Sequence, residues 1–225
     1  MVFSSHKAPE TADRSTEPQL EAFAAAYYAF QDAGAELTLA TPLGGEPPLG
    51  RARRSPGASV DSVLRFKADA AARTLMADTL RLDQIYAEDF SAVFVAGGLG
   101  AWWDLASDVR GSALISAFWA ADKPIAFLGA GSAALLSPTG PDRRPIVAGR
   151  TITGLSDADV QASSLAVAPP FSLEAQLRAR GALYRCGPAG LSFVVRDGPM
   201  ITGQNPPSAV AVAEALLAEL GRRNA

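Results

Sequence analysis

The chain has 225 residues, 48% hydrophobic and 19% charged, a mix that suits one globular domain with a substantial core. Its formal net charge of −3 argues against a nucleic-acid binder, which would carry a basic face. One cysteine excludes an internal disulfide and fits a reducing, cytoplasmic setting, the first residues show no apolar signal-like core, and no apolar run is long enough to span a bilayer.

Strand and helix patterns then alternate. Leu20, Phe23, Tyr27 and Phe30 recur at helical spacing, and Gly34 is a stop signal. Ala35-Glu-Leu-Thr-Leu-Ala40 reads as a strand. Residues 41–66, rich in Pro, Gly, Arg and Ser, read as an irregular excursion. A helix is expected over 67–79 and a buried strand over 91–96, ending in Gly97-Gly98-Leu99-Gly100. Leu114, Ile115, Phe118 and Trp119 mark the next helix, and 124–128 the next buried strand. Residues 145–153 suggest strand pieces and 173–180 a helix. A late hairpin turns around Asp197-Gly198, and a final helix runs from Ser208, its expected N-cap, to Gly221. Continuous apolar strands between helices predict a parallel, doubly wound α/β sheet in a single domain spanning 1–225.

The segment Lys123-Pro-Ile-Ala-Phe-Leu-Gly129-Ala130-Gly131-Ser-Ala-Ala-Leu135 predicts a strand, a tight turn and a helix. Such an elbow exposes a side chain at its apex, where a helix N-terminus steadies negative charge. Here the apex residues are Gly129 and Ala130, and neither carries a nucleophile. The chain holds a single histidine, His6, and a single cysteine, Cys186, whereas nucleophile–base catalysis uses such groups in pairs.

Five segments in order carry a resemblance: Ala33-Gly-Ala-Glu-Leu-Thr-Leu-Ala-Thr-Pro-Leu-Gly-Gly45, Ala96-Gly-Gly-Leu-Gly-Ala-Trp-Trp-Asp-Leu105, Lys123-Pro-Ile-Ala, Thr153-Gly-Leu-Ser-Asp157 and Ile201-Thr-Gly-Gln-Asn-Pro206. The chain resembles the ThiJ/PfpI superfamily, of class I glutamine amidotransferase-like fold, and within it the glyoxalase III and heat-shock chaperone branch. The resemblance implies a flavodoxin-like sheet and a homodimer. It also implies a catalytic cysteine at the elbow, a histidine after it, and a glutamate at the start of the first helix. These positions fall on Gly129, Ala130 and Ala22, with Glu21 one residue away as a fallback carboxylate. The family's Gly-Gly-His-Gly turn reads Gly97-Gly98-Leu99-Gly100. Members open with an apolar first strand, and only Met-Val-Phe precedes Ser4-Ser5-His6 here. A very short strand, a truncated start or a gap in the sheet is therefore expected, and a gap would leave backbone groups unpaired.

Loss at all four positions leads us to expect a non-catalytic member that binds a small ligand or a protein partner. Contacts are expected from Gly98, Leu99, Gly100, Gly129, Ala130 and Gly131. The alternatives are a glyoxalase III, deglycase or amidase-like enzyme with a thiol-free site around Glu21, or a holdase chaperone. Backbone N–H groups over 129–132 are placed to cradle an anion, but a tight turn is the plainer reading of these glycines. Ser132 reads as packing or capping, Glu21 as a solvated residue at a helix start, and Cys186 as a free structural thiol. One of Trp102 and Trp103 is expected in the core, and Arg51, Arg53 and Arg54 in a solvated loop. No cofactor and no metal are expected, since one Cys and one His fall short of a ligand set.

Overall fold

In this computed structural model, residues 1–6, 19–48, 60–96, 98–163 and 168–223 are described. The main sheet has β3 (Val93–Val95), β4 (Ile125–Leu128) and β8 (Met200–Gly203) running parallel at its centre. β7 (Val194–Asp197) closes one side, antiparallel to β8, through a turn with Gly198 at φ +59°. That is the expected hairpin. On the other side β1 (Ala40–Thr41) pairs parallel with β2 (Leu80–Arg81). The sheet is therefore doubly wound and mainly parallel, as expected.

Residues 1–3 lie between β1 and β3 and pair with both. The Val2 N–H donates to Phe94 O at 2.8 Å and Ala96 N–H to Val2 O at 2.8 Å. On the opposite side Phe3 N–H donates to Ala40 O, and Ala40 N–H to Met1 O, each at 2.9 Å. The central slot is thus filled by three residues, and no gap opens there.

Strand residues alternate between two cores, as a sheet covered on both faces requires. Val93, Val95, Ile125, Phe127 and Met200 face one core, with α4 (Val109–Ala120) and α6 (Leu173–Ala179) packed on it. Phe94, Ala96, Ala126, Leu128 and Ile201 face the other, covered by α1 (Gln19–Asp32) and α7 (Ala209–Arg223). A two-stranded parallel sheet of β5 (Thr151–Ile152) and β6 (Leu183–Tyr184) is added, together with the short α5 (Asp157–Ala162).

The structure corrects the expected elements in three places. The helix expected over 67–79 is two helices, α2 (Val60–Ala68) and α3 (Ala70–Ala77). Asp69 breaks them by taking an extended ψ of 99° and accepting the Ala72 N–H as the α3 N-cap. Residues 60–66, read as irregular, are therefore helical, while Arg51, Arg53 and Arg54 lie outside the described residues. The strand expected over 35–40 pairs in the ladder only at its end. Ser208 stands just before α7, but its hydroxyl bonds Phe193 and Asn205.

Candidate functional site

β4 delivers the chain into Gly129 at φ +55°, and the helix that follows, Gly129–Leu135, is a 3-10 helix. The turn is the elbow foreseen from the sequence. Gly129 has room: a Cβ there would stand 3.8 Å from both Asn205 Cα and Gln204 O, ordinary contact distance. Its backbone conformation is one that side chains adopt at a cost of about 1–2 kcal/mol. Gly131 has none, since a Cβ would come within 2.7 Å of Ala96 O and 2.8 Å of Val95 O. Glycine at 131 thus lets the elbow sit on the carboxyl end of β3.

Every residue of the elbow helix is buried. Ser132 is fully buried against Gly154 and directs its hydroxyl at Thr153 O, so it packs and does not face an open site. Leu155 N–H donates to Gly129 O at 3.2 Å, tying the segment after β5 to the apex.

The Gly98–Gly100 turn lies against the elbow, because the 3-10 helix Leu99–Trp102 packs on Gly129–Leu135. Gly97 lies outside the described residues. Leu99 is half-buried, and Gly100 is forced by the N-terminal segment: a Cβ there would meet Ser4 Oγ at 2.3 Å. Trp102 is the core tryptophan, 3% exposed, and Trp103 stacks on His6 with ring centroids 5.2 Å apart.

Glu21 corrects an expectation. It is 6% exposed, in the first turn of α1, and not a solvated residue; Ala22 beside it is buried too. α1 packs on Pro206–Ser208, directly after the Gln204–Asn205 wall of the elbow. The first-helix carboxylate is therefore inside the protein, on a helix that contacts the segment following Gln204 and Asn205. Cys186 is exposed, far along the chain from His6.

Three residues that shape the region were given no role in the sequence. Asp104 accepts hydrogen bonds from Ser4 Oγ (2.9 Å), Ser5 N–H (2.7 Å), His6 N–H (3.1 Å) and Leu105 N–H (2.6 Å), clamping residues 4–6 onto the turn that follows Leu99–Trp102. Burial pushes its carboxyl above the usual carboxylate range, against the pull of those donors. Gln204 and Asn205 form the wall opposite Gly129. The available signal was a pair of polar residues directly after a buried parallel strand, at the sheet edge where α/β proteins place their sites. A recess of about 610 Å³ opens beside this edge, lined among others by His6, Leu43, Asp104, Asp108 and Arg110. Among the described residues no group of three or more His, Cys, Asp or Glu is arranged to hold a metal ion. No described helix is long and apolar enough to cross a membrane.

The chain is an α/β sheet with a strand–elbow–helix at its carboxyl edge, where proteins of this architecture place their sites. No family model matches the chain. It is 29% identical over 147 residues to glutamine amidotransferase-like class 1 domain-containing protein 1 of Bos taurus, covering 65% of this chain and 67% of that one. The Francisella tularensis Rapid Encystment Protein 24 kDa superposes with a TM-score of 0.85 at 26% identity, covering 97% of this chain and 98% of that one. Glyoxalase III of Candida albicans superposes with a TM-score of 0.78 over 97% of this chain and 95% of its own, at 17% identity, a likeness of fold. The chain is thus similar in sequence to glutamine amidotransferase-like class 1 domain-containing proteins and has the fold of ThiJ/PfpI proteins.

Proposed function

We propose that this protein is a non-catalytic member of its superfamily, acting by binding a small ligand or a protein partner. One observation carries the reading. The elbow keeps its geometry, with Gly129 at φ +55° and space for a Cβ, yet it presents no side chain able to attack a substrate. The position resembling a family histidine is Ala130, 4% exposed, and the first-helix position is Ala22. Gly98, Leu99, Gly100, Gly129, Ala130 and Gly131 would supply backbone contacts to a ligand admitted there. The reading includes a homodimer, which the family resemblance implies, and a reducing compartment, which the single Cys186 permits.

A second reading is favoured by the burial of Glu21. A carboxylate inside the protein at a helix start is placed for general base work, and backbone N–H groups at an elbow can steady an oxyanion. That arrangement would support a thiol-free glyoxalase III, deglycase or amidase-like reaction. Holdase activity needs no thiol and is the third reading. Methylglyoxal consumption by the purified protein separates the first two: no turnover above the buffer blank supports the binding protein, and turnover lost in Glu21→Ala supports the enzyme. Suppression of client aggregation by the purified protein tests the third.

A further inference from the structure

Asp159 of α5 is a carboxylate buried to 7% exposure, and among the described residues the hydrogen-bond donors it meets are neutral. The Ser156 hydroxyl and the Gln204 amide (2.7 Å) donate to one oxygen; the Asn205 amide (3.1 Å) and the Gly190 N–H (2.8 Å) donate to the other. A buried carboxylate persists only when its lone pairs are met in this way. The same amides fasten residues 187–191. Gln204 accepts from Gly187 N–H at 2.7 Å and donates to Gly187 O at 3.3 Å, while Asn205 donates to Leu191 O at 2.8 Å. Ser208 completes the network by donating to Asn205 Oδ1 at 3.0 Å.

The backbone of Gln204 and Asn205 is the wall that faces the missing side chain of Gly129. Asp159 holds the side chains of both residues from behind that wall. We propose that Asp159 is a positioning residue that, through Gln204 and Asn205, bolts residues 187–191 and 204–205 in place and so controls access to the elbow. The assignment holds whether the elbow binds a ligand or not. Removing the carboxylate costs the amides of Gln204 and Asn205 one of their two acceptors and leaves the Gly190 N–H without its acceptor, and the wall then opens more often than the rest of the fold.

The test uses a thiol placed at the elbow. On a Cys186→Ser background, Gly129→Cys puts a single cysteine where a Cβ fits. Its alkylation by iodoacetamide under native conditions reports opening of the wall. A second single-thiol protein, Ala72→Cys in α3 on the same background, reports opening at a fully buried site away from the network. Asp159→Asn is expected to speed labelling at 129 by about tenfold, the effect of losing roughly one buried charged hydrogen bond, and to leave labelling at 72 unchanged. Ser156→Ala, which removes one donor and keeps the carboxylate, is expected to give a smaller acceleration at 129 and serves if Asp159→Asn does not fold. Equal acceleration at both sites, no acceleration at 129, or a Gly129→Cys protein labelled as fast as a free thiol before any change at Asp159 would each overturn the proposal.

Discussion

Gly131 and Ala96 are packed so closely that a Cβ on residue 131 would lie 2.7 Å from the Ala96 carbonyl oxygen. The oxygen belongs to backbone at the end of a central strand, so it cannot swing aside. Two residues earlier, Gly129 is limited by its backbone conformation and not by its neighbours. Gly131→Ala should therefore cost about 3 kcal/mol, from overpacking. Gly129→Ala should cost about 1 kcal/mol, from the left-handed conformation alone. Urea denaturation of both variants checks the order. A larger loss at 129 would mean that the elbow is limited by its turn and not by its contact with β3.

Asp104 ties residues 4–6 to the turn after Leu99–Trp102, and burial holds its carboxyl above the usual range. A carboxyl with a raised folded pKa binds protons more tightly in the native state than in the unfolded chain. Its contribution to stability is present below the unfolded carboxylate pKa and is lost as pH rises through the folded value. The stability difference between the parent and Asp104→Asn should therefore shift against the parent as pH rises through that value. Chemical denaturation at several pH values between about 3 and 7 measures it. A difference that moves the other way would mean that the four donors outweigh the burial.

Asp69 carries the opposite sign. The Ala72 N–H, and after it the Tyr28 hydroxyl, hold its carboxyl below the usual range despite some desolvation. Asp69→Ala should cost about 1 kcal/mol at neutral pH, the usual worth of an N-cap. The stability supplied by the depressed pKa is present above the unfolded value and lost as pH falls through the folded one, so the gap between parent and variant should close in acid. A cost that is constant with pH would show that the cap acts through shape and not through charge.

The central sheet was legible because β3 and β4 are continuous apolar runs, and the elbow because Gly129-Ala-Gly131 follows the second of them. The break at Asp69 was not, since the helical pattern around 67–79 runs through it and only the extended ψ of one residue divides α2 from α3. The filled central slot was not legible either. Three residues suffice there because each of Met1, Val2 and Phe3 pairs with a neighbouring strand, a property of position that no local pattern records. Glu21 looked solvated because its sequence neighbours suit a helix start. Its burial comes from the packing of α1 across the sheet, onto α7 and Pro206–Ser208. Asp159 lies far along the chain from Gln204 and Asn205 and meets them only in the fold, 45 and 46 residues separating the acid from the two amides.

We propose that an elbow presenting no nucleophile leaves this protein without the chemistry its fold can host. The most direct measurement is methylglyoxal consumption by the purified chain, run beside Glu21→Ala. No turnover above the buffer blank is expected for either protein. Turnover by the parent that disappears in Glu21→Ala would contradict it and would place the buried carboxylate at the centre of a thiol-free reaction.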